Sequence, residues 1–252
     1  MTPIDLLRKD VRPLYSVPIV LDRATVRIDR TSQFRASNDG PEKDLVAEFV
    51  GKLPFRMRPG RRHAIFVEPW LESGAPDLVY VEWKPAVVTR WRSVRASLGL
   101  QDIKLLQLLY SRRWQLRDIE DLLGPALLPA IEKLSRAGLL LLKGRYLQPT
   151  TLARAFAATR IVAIEAKVSQ WSRAIEQAHL NTWFASESYI LMPRKPRSSR
   201  ILERAKAAGI GVWVMNAVPT RVLSPRRHRL PASYASWQFN EWLLELNEAT
   251  RS

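Results

Sequence analysis

The chain of 252 residues carries 40 Lys and Arg against 24 Asp and Glu, a net charge of +16, and no Cys. That length fits one large domain or two modest ones, and the missing cysteines exclude disulfides, thiolate zinc sites and cysteine nucleophiles. No apolar run approaches the ~18 residues of a membrane span, and charges occupy the N-terminal stretch where a signal peptide is apolar, so a globular cytoplasmic protein is expected.

The first forty residues alternate weakly (PLYSVPIVL, ATVRIDR), as short strands and turns do. Asn38 to Leu53 reads as a helix. Asn38 or Asp39 caps it, Pro41 sits in the first turn, and Leu45, Val46, Phe49, Val50 and Leu53 form one apolar stripe. Two strand-like runs follow, HAIFVEPW and PDLVYVEW, divided by a turn at Ser73-Gly74.

Residues 97–150 are rich in Leu and read as three helices, LGLQDIKLLQLLYSR, QLRDIEDLLG and PALLPAIEKLSRAG. A hairpin around Lys143-Gly144 closes the segment. Three helices and a hairpin are the layout of a winged helix-turn-helix, whose third helix commonly enters the major groove. Leu127, Ile131 and Leu134 then face inward, Lys133 and Arg136 face out, and Lys143 and Arg145 stand on the wing. A helical subdomain that packs only against protein is the alternative. An α/β alternation returns with ATRIVAIEAKV (strand), SQWSRAIEQAHLNTWFAS (helix), ESYILMP (strand), SSRILERAKAAG (helix) and IGVWVMN, the last expected strand. An amphipathic helix, SYASWQFNEWLLELNEA, ends the pattern and suits packing on the body or on a second copy.

A positive excess of this size points to a polyanionic partner, because Lys and Arg neutralise phosphates and release counterions. From Ile190 to Leu230 ten Lys and Arg face the single acid Glu203, and further clusters run Arg56, Arg58, Arg61, Arg62 and Arg90, Arg92, Arg95. These are patches on a folded body. Nucleic acid is the expected partner.

Three acidic pieces stand in order: Glu42 on the first helix, Asp77 opening a strand after Pro76, and Glu165 in Glu165-Ala166-Lys167. Residues two apart on a strand share a face, so Glu165 and Lys167 project together. A carboxylate on a neighbouring strand can share a divalent cation with Glu165, and the Ala166 carbonyl can add a ligand. Oxygen donors suit Mg²⁺ or Mn²⁺, and Lys167 is placed to orient a water or stabilise transition-state charge. Glu82-Trp83-Lys84 repeats the acid–x–Lys pattern, but along one strand Glu82 would stand about 16 Å from Asp77 on the opposite face, so it is set aside. No phosphate-binding loop, zinc motif or serine nucleophile elbow is present.

In this order the residues resemble the PD-(D/E)XK nuclease superfamily, the restriction-endonuclease-like fold. GAPD with Asp77, IVAIEAK with Glu165 and Lys167, and the helix carrying Glu42 match its motifs, as does ILERAKAAGIGVWVMN. Gln177-Ala178 on the following helix is similar to a family glutamine that supports the site. The resemblance covers residues 38–85 and 160–216, and it departs from the family in the long interval between Asp77 and Glu165. It implies an α/β fold, a central mixed sheet flanked by helices. Residues 1–92 and 153–252 would form the core, interrupted by a small winged-helix insertion at 93–152.

The resemblance further implies a metal-dependent DNA endonuclease. Mg²⁺, with Mn²⁺ as substitute, would be held by Asp77, Glu165 and Glu42, with Lys167 and Gln177 completing the catalytic set. Lys133, Arg136, Lys143, Arg145, Arg194, Lys195, Arg197 and Arg200 would contact DNA. A homodimer or partner subunits of a larger DNA-processing complex are left open. The alternative is a non-catalytic DNA-binding regulator or assembly factor on a nuclease-like scaffold. A nuclease acting on RNA would share the same site.

Overall fold

The computed structural model describes residues 18–22, 33–35, 39–56, 58–72, 74–112, 114–124, 127–196 and 198–249. The chain opens with β1 (Ile19–Leu21), β2 (Gln33–Phe34), α1 (Pro41–Gly51), β3 (Arg62–Val67), β4 (Pro69–Trp70) and β5 (Leu78–Trp83). A helical stretch follows: α2 (Pro85–Val88), a 3-10 turn (Ser93–Ser97), α3 (Leu100–Ser111), β6 (Trp114–Gln115), α4 (Leu116–Leu123) and α5 (Leu127–Arg136). The hairpin β7 (Leu140–Lys143) and β8 (Tyr146–Pro149) and the short α6 (Leu152–Ala155) lead back to β9 (Ala158–Ala166). The last elements are α7 (Trp171–Asn181), β10 (Glu187–Met192), α8 (Ser199–Ala208), β11 (Gly211–Met215), β12 (Pro219–Leu223) and α9 (Tyr234–Ala249).

The architecture is α/β, a seven-stranded mixed sheet flanked by helices. Its order is β1-β3-β5-β9-β10-β11-β12. β5 runs antiparallel to β3 and to β9, β9, β10 and β11 are mutually parallel, and β12 closes the edge antiparallel to β11. The central strands are buried on both faces, which is why β5 and β9 read as nearly continuous apolar runs. No helix among the described residues is long and apolar enough to cross a membrane.

Alternation along the strands sorts the core into layers. Ile65, Leu78, Tyr80, Val162, Ile164 and Ala166 face α1, where Leu45, Val46 and Phe49 meet them. On the other face Ala64, Phe66, Val79, Val81, Ile161 and Ala163 pack against α9 and the helical stretch. Beyond β9, Ile190, Met192, Val212 and Val214 are covered by Ala174, Ile175 and Ala178 of α7 and Ala205 of α8.

The helical stretch shares its core with the sheet: Leu106, Leu109 and Leu134 belong to the same apolar cluster as Trp237, Phe239 and Trp242 of α9. α9 is therefore a core element buried nearly all round, and its apolar residues are spent within the chain rather than kept for a second copy. Asn240 on α9 satisfies the start of β9: its Oδ1 accepts from the amides of Ala157 (2.7 Å) and Ala158 (3.3 Å). Such pairing removes the cost of burying an amide.

Several boundaries differ from the sequence reading. α1 starts at Pro41 behind Gly40 with no side-chain cap, and Asp39 instead pairs with Lys43 at 2.7 Å; Asn38 lies outside the described residues. The last strand is β12, not β11. Its PTRVL run is interrupted by Arg221 and escapes a pattern search, yet edge position makes that arginine acceptable. Ile131 is only half-buried, while Leu127 and Leu134 of the same helix are fully inside.

Candidate active site

The site forms where one end of β5 meets the end of β9. Leu78 pairs with Ile164, so one step further sets Asp77 beside Glu165 on the same face of the sheet. Both are buried, Asp77 at 7% and Glu165 at 3% exposure. Asp77 Oδ2 accepts a hydrogen bond from the Ala166 amide at 2.8 Å, which locks its carboxylate against β9. Glu165 Oε1 accepts from Asn181 Nδ2 at 2.7 Å. Lys167 Nζ, mostly buried, lies 2.8 Å from Glu42 Oε2 and 3.8 Å from Asp77 Oδ2, and it donates to the Ala166 carbonyl at 3.0 Å. Thus Glu42, Asp77, Glu165 and Lys167, scattered over the sequence, are gathered in one cluster.

Glu42 comes from the first turn of α1, where the helix dipole favours an acid. It faces the cluster, whereas Glu48 on the outer side of the same helix pairs with Lys52. A cleft of about 790 Å³ opens over the cluster, lined among others by Arg35, Glu42, Glu68, Asp77, Lys167 and Gln177. Glu165, buried at the end of β9, does not line it. Gln177 does line it, but Asn181, one helical turn on, holds the glutamate; Gln177 Oε1 is buried with no hydrogen-bond partner among the described residues.

Burial and the neighbouring Asp77 carboxylate push the Glu165 acid up to about 8, against the opposing pull of the Asn181 hydrogen bond, Lys167 and Arg35. Burial likewise raises Asp77, with Lys167, the Ala166 amide and Arg35 working against it. Burial and mutual repulsion disfavour ionising both neighbouring carboxyls at once, against the pull of Lys167 and Arg35. A divalent cation would offset that repulsion, and carboxylate oxygens are donors of the kind Mg²⁺ or Mn²⁺ takes. The side chains as they stand are turned to protein partners instead: among the described residues no three His, Asp or Glu converge to hold a metal ion. The Ala166 carbonyl, expected as a ligand, is likewise taken up by Lys167.

Three participants escaped the sequence reading. Arg35 Nη2 approaches Asp77 Oδ1 at 3.5 Å and Glu68 Oε1 at 3.4 Å from a segment with only weak patterning. Glu68, buried beside Asp77, donates its backbone N–H to the Asp77 carbonyl at 2.9 Å. Its adjacency is legible once HAIFVE and PDLVYV are taken as antiparallel neighbours. Asn181 is the third, recoverable only as the position one turn beyond Gln177. Glu68 and Gln170 hold positive φ angles of 51° and 54°, and both line the cleft. Non-glycine residues adopt this conformation at a cost and cluster at functional sites.

Glu82, set aside above, is fully buried toward the other end of β5, where Thr159 Oγ1 donates to it at 2.7 Å. The basic residues fall in two places. Arg194, Lys195 and Arg200 are exposed beyond the end of β10, which runs parallel to β9 and so ends on the same side as Lys167. Lys133, Arg136, Lys143 and Arg145 are exposed on the stretch that leaves the sheet from the far end of β5, and Lys133 approaches Asp102 at 3.4 Å. None of these lines the cleft. Arg197 lies outside the described residues. Searches against family models, curated proteins and solved structures find no match to this chain.

Proposed function

We propose that the chain is a metal-dependent endonuclease that hydrolyses phosphodiester bonds in DNA. The observation that carries the proposal is the buried Asp77–Glu165 pair, served by Lys167 and Glu42 at a cleft whose lining also includes Arg35, Lys43 and Arg173. The mixed sheet, with α1 packed on one face and the acids at abutting strand ends, supports a restriction-endonuclease-like reading. The sequence α3, α4, α5 and hairpin β7–β8 supports a winged-helix insertion.

In this reading Asp77, Glu165 and Glu42 would hold Mg²⁺. When bound, the ion supplies Lewis-acid polarisation of a phosphoryl oxygen and a water of lowered pKa. Lys167 keeps its ammonium between Glu42 and Asp77, where it orients the attacking water and offsets charge developing on the phosphate. Asn181 keeps one Glu165 oxygen engaged and leaves the other to bind. Arg173 and Lys43 on the cleft walls meet the entering backbone, and Arg194 and Lys195 extend that track.

One observation favours the second reading, a non-catalytic DNA-binding protein on a nuclease-like scaffold: Glu165 is buried, does not line the cleft and accepts from Asn181. Calorimetric titration of wild type and Asp77→Ala/Glu165→Ala with Ca²⁺ and Mn²⁺, with and without duplex DNA, separates the two. Binding that the double variant loses, together with Mn²⁺-dependent nicking of plasmid by wild type alone, supports the nuclease. Equal, negligible binding in both proteins with DNA present overturns it.

A further inference from the structure

A second cleft, of about 400 Å³, lies where α2, α6 and the end of α5 meet. Its lining includes Arg90, Arg92, Arg95 and Arg154 and no acidic residue. The four arginines are not equivalent. Arg95 is buried and satisfied, bound to Glu241 through Nε at 2.8 Å and to the Ala155 carbonyl at 2.9 Å. Arg92 lies against Gly138, about 3.7 Å from where a Cβ would stand, and donates to the Arg136 carbonyl at 2.9 Å. That bond satisfies an open carbonyl at the end of α5.

Arg90 and Arg154 differ. Both are exposed, and neither side chain has a recorded hydrogen bond or ion pair among the described residues. Their backbones are nevertheless fixed, since the Trp91 indole donates to the Arg154 carbonyl at 2.9 Å. Two free guanidinium groups are thus held on the rim of one concave, acid-free surface. Such a site focuses positive potential, and the guanidinium fork matches phosphate oxygens.

We infer that this cleft binds a backbone phosphate of duplex DNA, at a position separate from the scissile phosphate. It lies at the end of β5 away from Asp77, a strand length of about 20 Å. A duplex engaged there is gripped by the junction between the helical stretch and the sheet, beside Arg136 on α5. The inference rests on the nucleic-acid half of the reading above and is independent of the metal site.

The test is duplex binding measured by fluorescence anisotropy across a salt series in EDTA, which removes divalent ions from the question. Arg90→Glu/Arg154→Glu is expected to lower affinity by about tenfold or more and to reduce the salt slope by about two ions. Arg90→Gln/Arg154→Gln, which is milder on folding, lowers affinity by less and reduces the salt slope by about the same two ions. Calcium titration at the Asp77 cleft stays at the wild-type value in both variants, so loss of the nuclease reading and loss of this one appear in different measurements. Unchanged affinity and slope in both variants overturn the inference. So does unchanged duplex binding with calorimetric binding of inorganic phosphate abolished, which marks a free-phosphate site instead.

Discussion

Asp77 accepts the backbone N–H of Ala166 at 2.8 Å, so the acid opening β5 is tied to the strand residue that follows Glu165. This bond fixes the spacing of the two carboxylates by backbone geometry rather than by side-chain choice. Asp77→Asn keeps the acceptor oxygen and the packing but removes the charge. It is expected to fold like wild type, to lose divalent-ion binding in calorimetry, and to reduce nicking by about a hundredfold or more.

The Glu165 acid, raised to about 8, makes ion binding proton-linked. A raised carboxyl contributes stability that is full below the unfolded value near 4.5 and is lost as pH rises through about 8. Metal-free protein should therefore lose thermal stability between these limits, and added Ca²⁺ or Mn²⁺ should restore it. Glu165→Gln should flatten the dependence and melt higher than wild type at pH 8.5, the expected cost of holding a charge in a buried site. Scanning calorimetry across pH checks both curves.

Lys167 answers two acids with one ammonium, Glu42 at 2.8 Å and Asp77 at 3.8 Å. Lys167→Met should lower the cleavage rate by about 10²–10⁴ while leaving divalent-ion affinity equal or tighter, because a competing cation is gone. Parallel loss of ion binding and rate would instead mark the lysine as structural.

Asn181 is the only recorded hydrogen-bond donor to Glu165 among the described residues. Asn181→Leu removes a bond that favours the ionised form, so the midpoint for metal binding should move to higher pH. Gln177→Leu, at a position with no bond to Glu165, should leave that midpoint in place. Ion titrations at several pH values distinguish these outcomes.

Arg95 and Glu241 form a buried pair joining the 3-10 turn to α9. Arg95→Ala strands a buried carboxylate and should destabilise the fold by roughly 3–5 kcal/mol, or about 10 °C in Tm. Arg90→Ala, at an exposed position nearby, should leave the melting temperature within about a degree of wild type.

The sequence alone determined those features written in local periodicity. The α1 stripe of Leu45, Val46 and Phe49, the apolar runs of β5 and β9, and the Leu-rich helices carry their burial in their own spacing. Glu165 and Lys167 were legible because an acid and a lysine at the end of a buried strand need partners, and Glu42 and Asp77 because their order along the chain resembles a known motif set. Their convergence, however, depends on strand pairing across a long interval, which no local window contains.

The tertiary structure alone decided the rest. It set Asn181 rather than Gln177 on Glu165, brought Arg35 and Glu68 to Asp77, added β12, and buried α9 within the chain. It also separated the helical stretch's basic residues from the cleft. Periodicity specifies which face of an element is apolar, whereas register and chain crossing choose which polar groups meet at its ends.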